Sequence, residues 1–364
     1  MQTELRAPML GRQMLLKLTS LAQKAARHLG RPAILMEVCG THTMAIAKSG
    51  LRSLLDGCLE LRSGPGCPVC VTDHKDIDKI IALARQHNVM IATFGDMLRV
   101  PGTISSLEQE RARGAQIEIF YSPLEAVTFA AGHDQKEVVF LGVGFETTIP
   151  GIALSIAAAK SRNIPNYSVF SVHKLVPPVM ETLLHDPELN IDGLILPGHV
   201  CTITGRSAFD FVAAKYGMPA VIAGFEPVDI VKAVYLLLKQ IIDGPIRTAN
   251  GYPRLVREEG NRNAKEIMKE YFEPADVCWR GFGLIPQSGL AVQKKYSFFD
   301  AAVRFPVEVP ELLPADGCAC GDVLKGKITP PQCPLFAGVC TPLRPVGPCM
   351  VSSEGACAVY YHYE

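Results

Sequence analysis

Residues 31–74 read RPAILMEVCGTHTMAIAKSGLRSLLDGCLELRSGPGCPVCVTDH. Two short apolar runs, AILMEV and LELRSG, each give way to a loop carrying cysteine and glycine, and then to a helical segment. Runs of that length suit buried strands, and a strand–loop–helix unit met twice in succession predicts parallel strands with helical crossovers.

The same grammar continues outward. VMIATF leads to Gly95 and Asp96, residues 106–115 read as helical, and QIEIFY is a strand. EVVFLGVGF, NYSVFSV, DGLILPG and PAVIAGF follow as strands, with helices near 152–161, 176–185, 207–215 and 228–242. The expected fold class is α/β. Two similar Rossmann-like halves of mainly parallel sheet, 31–130 and 131–245, would face a central cleft. In open α/β sheets ligands lie beyond the carboxyl ends of the strands. The loops bearing Cys39, Cys67, Asp96, Glu146, His199 and Glu226 would therefore line that cleft. Beyond residue 245, Gly, Pro and Cys increase and periodicity fades apart from a helical stretch near 263–271. Residues 246–364 form the expected third, loop-rich domain, with the helical segment 1–30 packed on it.

The chain has 364 residues, 48% apolar and 20% charged, a globular balance rather than a disordered one. Basic and acidic residues number 36 each, so the net charge carries no footprint for nucleic acid or an acidic membrane. The apolar run 233–238 is far too short to span a bilayer. The first 30 residues lack the continuous apolar stretch of a secretory signal. A cytoplasmic protein is the expectation. In a reducing compartment, twelve cysteines point to metal binding or redox work rather than a disulfide framework.

Cys320, Cys333, Cys340 and Cys357 have the spacing C-x12-C-x6-C-x16-C. Four thiolates can hold a [4Fe–4S] cluster or a structural zinc. Zinc usually takes paired C-x2-4-C ligands, which this tail lacks, and Pro334 follows Cys333 as a proline follows the last cysteine of ferredoxin runs. Spacing alone leaves cluster, zinc and free thiols open. Cys318 makes the first ligand ambiguous, and Cys349 is a further candidate.

Cys67-Pro68-Val69-Cys70 sits between strand and helix. Two cysteines three apart at a helix start form a tight disulfide or share a metal, and the helix start favours the thiolate. Half of a zinc site is the alternative. Cys39 closes the first apolar run, with His42 three residues on. It is read as a nucleophile with His42 as base, as a metal ligand, or as a small buried cysteine. Glu146, His199, Glu226 and Asp96 can position a ligand or relay protons, or can simply cap helices.

CGTHT (39–43), GPGCPVC (64–70), TFGDMLRVPG (93–102), GFETT (144–148), PGHV (197–200), GFEP (224–227) and the ending CPLF…C…MVSSEGAC occur in order across nearly the whole chain. In these motifs the sequence resembles the HypD family of [NiFe]-hydrogenase maturation proteins. The resemblance implies a [4Fe–4S] cluster on Cys320, Cys333, Cys340 and Cys357, and a redox-active dithiol at Cys67 and Cys70. It also implies that Cys39 helps to hold iron in the cleft, with His42 as a second contributor. It further implies a direct complex with HypC, cyanide delivered by HypE, transient Fe(II) carrying cyanide and carbonyl ligands, and eventual delivery to the hydrogenase large subunit. No role follows for Cys58, Cys201, Cys278, Cys318 or Cys349, for which burial is the expectation. Two other classes remain: a thiol–disulfide oxidoreductase with an iron–sulfur cluster, and a zinc-stabilised binding module.

Overall fold

Residues 8–310 and 317–364 are described by a computed structural model. Eleven strands are present among them: β1 Ala33–Glu37, β2 Leu59–Ser63, β3 Val89–Thr93, β4 Gln116–Ile119, β5 Glu137–Gly142, β6 Tyr167–Ser171, β7 Gly193–Pro197, β8 Ala220–Ala223, β9 Thr248–Asn250, β10 Phe272–Trp279 and β11 Gly283–Val292. The α/β class holds. One sheet has the order β2-β1-β7-β8-β9 and another β4-β3-β5-β6, every pair parallel. β1, β3 and β7 are buried at every position. That is why they read as continuous apolar runs rather than alternating ones.

The strands are not shared out as two successive blocks. After β2 the chain leaves the first sheet, builds the whole second sheet with β3–β6, and returns to add β7, β8 and β9. The contiguous halves 31–130 and 131–245 are corrected accordingly. A βαβ alternation announces parallel pairing, but a crossover of a dozen or more residues can end beside either sheet. The consequence is useful for the site: β1 and β7 are direct neighbours, so Cys39 and His199 follow adjacent strands.

A second correction concerns the N-terminal helix, Pro8–Leu29. Leu18, Ala22 and Ala25 are fully buried in a core shared with β1, β2 and the helix Pro227–Asp243, not with the cysteine-rich tail. Their helical spacing makes a narrow small-residue stripe that lets two helices approach closely. The expectation for residues 1–7 lies outside the described residues.

The third region is less irregular than expected. β10 and β11 form an antiparallel hairpin with an irregularity between Ala275 and Val277. The hairpin docks against β6: the Ser171 hydroxyl donates to Leu290 O at 2.6 Å, and the Leu175 N–H to Ser288 O at 2.8 Å. The tail consists of short helices and turns, and its last helix, Ala356–Tyr363, lies against Gly40–Lys48. Among the described residues no helix is long and apolar enough to cross a membrane.

Candidate functional site

Cys39 stands just beyond β1, as the extended residue (φ −163°, ψ 124°) that precedes the helix Gly40–Lys48. It is 1% exposed. Its sulfur lies 3.8 Å from Nε2 and 3.9 Å from Nδ1 of His199, which opens the helix after β7. Burial pushes the Cys39 thiol up to about 12, and the nearby Glu37 carboxylate adds to this. A thiol so placed stays protonated at neutral pH unless a cation displaces the proton, which a coordinated metal does outright. Glu37, the last residue of β1, is itself buried. Its Oε2 accepts the Cys39 N–H at 2.9 Å, and its Oε1 accepts the Thr43 hydroxyl. Burial raises Glu37 to about 7.

His42 is placed differently from the expected catalytic base. Its Nε2–H donates to Gly224 O at 3.0 Å, its ring stacks on Phe225 at 4.7 Å, and its Nδ1 is enclosed without a partner. Burial holds it down at about 4, so it is neutral across the physiological range. The histidine ring against the Cys39 sulfur is that of His199, likewise lowered to about 4 by burial.

The second loop is stitched to the first. Gly40 N–H donates to Gly66 O at 3.0 Å, and Gly64 N–H to Glu37 O at 2.8 Å. A Cβ on Gly66 would stand 2.1 Å from the Cys39 nitrogen and 2.4 Å from its Cα, so only glycine allows this approach. Cys67 and Cys70 are both buried and are paired as a disulfide across the short helix Pro68–Val71. Pro68 fits the first helical position because its missing N–H has no partner there.

From the second sheet, Glu146 follows β5. Its Oε1 accepts the Val176 N–H at 2.9 Å, while Oε2 is enclosed without a partner. Burial raises it to about 7. Both Glu146 and Cys39 lie close enough to Cys201 to push that buried thiol further up. Glu226 is the residue before the helix Pro227–Asp243, and its carbonyl accepts the N–H groups of Asp229 and Ile230, a helix-start arrangement. Asp96 reaches the tail, accepting the Ser352 hydroxyl at 3.2 Å.

Several participants escaped the sequence reading. Glu354 accepts the Thr41 hydroxyl at 2.7 Å, and its main chain packs on Gly40, so the tail closes directly over the Cys39 loop. His173 and Lys174, after β6, are fully buried. His173 Nδ1 shares a hydrogen bond with the Ser171 hydroxyl, and Lys174 pairs with Asp76 at 3.2 Å. For Glu37, His173 and Lys174 a signal existed: charged or imidazole groups at the ends of otherwise apolar strands.

Behind the disulfide, one pocket is lined by Cys320, Cys333, Cys340 and Cys357 together with Cys318 and Cys349, and by Phe336 and Met350. Cys320 lies within sulfur hydrogen-bonding reach of Cys318 and Cys349, and Cys349 also of Cys357. The Val346 N–H donates to Cys340 Sγ at 3.3 Å. Burial holds for Cys201 and Cys349, whereas Cys58, Cys278 and Cys318 are only half-buried; Cys318 and Cys349 both line the pocket. Among the described residues no three His, Cys, Asp or Glu side chains are drawn together closely enough to grip a single ion. The turn Pro348–Met350 packs on the Pro68–Val71 helix, so pocket and disulfide share a wall.

A family model described as "HypD: Hydrogenase formation hypA family" matches residues 13–364. The chain is 42% identical over 366 residues to the hydrogenase maturation factor HypD of Rhodobacter capsulatus, covering 99% of this chain and 97% of that protein. It is 41% identical over 365 residues to the HypD of Escherichia coli, with 99% and 97% covered. To the hydrogenase expression/formation protein HupD of Azotobacter chroococcum it is 43% identical over 337 residues, with 90% and 89% covered.

Proposed function

The chain belongs to the HypD family of hydrogenase maturation factors, and from that premise we propose that it is the redox-active scaffold on which the iron, cyanide and carbonyl unit of [NiFe]-hydrogenase is assembled. The observation that carries the reading is the convergence on one site of Cys39, His199 and the Cys67–Cys70 pair, backed by a pocket of cysteines.

The cargo is Fe(II). Cys39 supplies one thiolate and a cysteine of HypC a second; cyanide comes from HypE, carbon monoxide completes the set, and the hydrogenase large subunit receives the product. Soft thiolates suit iron bearing such ligands. Glu146, raised to about 7, can hold or yield a proton near neutral pH. His42 stays neutral and fixes the Gly224–Phe225 turn, whose phenyl ring lies 4.9 Å from that of His199.

The pocket suits a [4Fe–4S] cluster. Its donors are thiols and its cover, with Phe336 and Met350, is apolar. Cys320, Cys333, Cys340 and Cys357 would hold it, and when bound it supplies electrons one at a time. Reduction of the Cys67–Cys70 disulfide to two thiols would consume two electrons and two protons. The setting is cytoplasmic.

Metal and acid-labile sulfide analysis of protein purified without oxygen tests this reading. About four irons with matching sulfide per chain are expected, lost in Cys333→Ser. Zinc without sulfide would favour the binding-module alternative and overturn the proposal. The paired Cys67 and Cys70 also fit a plain thiol–disulfide oxidoreductase. That rival predicts normal maturation by Cys39→Ala, whereas the scaffold predicts none.

A further inference from the structure

The hairpin strand β10 ends on Trp279, and Arg280 follows it, against both redox elements. Trp279 is fully buried and bridges to Thr72, two residues beyond Cys70. Arg280 is anchored twice on the same segment: its N–H donates to Val71 O at 2.9 Å, and its Nε to Thr72 O at 3.0 Å. The next residue, Gly281, meets Gly321, the neighbour of Cys320, so closely that a Cβ there would stand 2.5 Å from the Gly321 Cα. Arg280 is thus held between the disulfide helix on one side and the start of the cysteine pocket on the other. Its Nη2 is enclosed and has no hydrogen-bond partner. An enclosed guanidinium nitrogen without an acceptor costs stability comparable to a lost charged hydrogen bond.

We propose that Arg280 is a positioning residue that sets the redox balance between the two centres: its guanidinium places a positive charge between the disulfide helix and the Cys320 end of the pocket, while its Nε and main chain fix the disulfide helix. This rests on the cluster reading above. Reduction adds negative charge to a cysteine-ligated cluster, and a nearby cation or N–H donor stabilises the reduced form. Arg280 therefore raises the reduction potential of the cluster site, and it keeps the disulfide at fixed distance from it.

The test is a potentiometric titration of full-length protein purified without oxygen, following the reduced-cluster signal by electron paramagnetic resonance, with iron and sulfide measured on each sample. Arg280→Gln is expected to disfavour the reduced form about tenfold, a fall of ~59 mV for a one-electron couple. Arg280→Lys keeps the charge but not the fork, and should fall between the two. A Gln variant with full iron and sulfide and the wild-type midpoint overturns the inference. Should Arg280→Gln fail to load, Arg280→Lys decides: a lowered midpoint supports the assignment and an unchanged one refutes it. Wild-type protein without iron or sulfide would overturn the cluster reading and the inference together.

Discussion

Replacing Gly66 by alanine should separate the two loops on which the site depends. The added Cβ would meet the Cys39 nitrogen at 2.1 Å, its Cα at 2.4 Å and the Val38 carbonyl carbon at 2.4 Å. All three are main-chain atoms, so no flexible side chain can swing away. Overpacking of a tight interior costs about 1–3 kcal/mol, and rigid neighbours place this case at the upper end. At about 2.1 cal/mol/K per residue, a chain of 364 residues has an unfolding entropy of roughly 0.8 kcal/mol/K. A cost of ~3 kcal/mol then lowers the melting temperature by about 4 °C. The functional effect should be larger, because displacing a reacting group by ~1 Å costs on the order of 10²-fold. Gly151→Ala is the control. That glycine lies in the helix Ile149–Ser161 with no atom within 4 Å of an added Cβ, so alanine should raise stability by about 0.5–1 kcal/mol. The assay pairs thermal melting with recovery of hydrogenase activity in cells lacking the gene. Wild-type melting and maturation by Gly66→Ala would refute the claim that this contact sets the site.

Two further expectations concern carboxylates. Glu146 has its pKa raised from an ordinary 4.5 to about 7, chiefly by burial. The folded state therefore binds this proton more tightly, and the stability it contributes is present below 4.5 and lost as pH rises through 7. Glu146→Gln should flatten that loss in melting curves recorded between pH 5 and 8, and an unchanged slope would contradict the assignment. His42 and His199 act in the opposite sense: held near 4, they withdraw stability as pH falls from about 6.5 toward 4. Glu354→Ala removes the acceptor of the Thr41 hydroxyl. A loss of about 0.5–1.5 kcal/mol is expected, with iron and sulfide retained but maturation reduced. Loss of the iron and sulfide in that variant would show that Glu354 serves the pocket instead.

The sequence made the local chemistry visible and the global arrangement much less so. Each strand-to-loop junction was legible because β1, β3, β5, β7 and β8 are apolar over most of their length and then break at glycine or proline. Sheet membership was not. Nothing in LELRSG or VMIATF says that β2 pairs with β1 while β3 starts another sheet, because that choice is made by packing between buried faces far apart in the chain. The β10–β11 hairpin was hidden by Pro274, Pro286 and glycines and by outward positions that blur the alternation. His42 shows the same limit inside a motif: spacing placed it near Cys39, but its ring is turned to Gly224 and Phe225, and His199 takes the place beside the sulfur. Glu354 and Arg280 entered only through tertiary contacts.

The central claim is that Cys39 holds iron carrying cyanide and carbonyl ligands, and infrared spectroscopy of the complex with HypC, isolated without oxygen from cells making HypE, tests it most directly. The account predicts cyanide and carbonyl stretching bands in the wild-type complex and their disappearance in Cys39→Ala, with the iron and sulfide of the cysteine pocket unchanged. Bands of undiminished intensity in Cys39→Ala, or none in the wild-type complex, would contradict it.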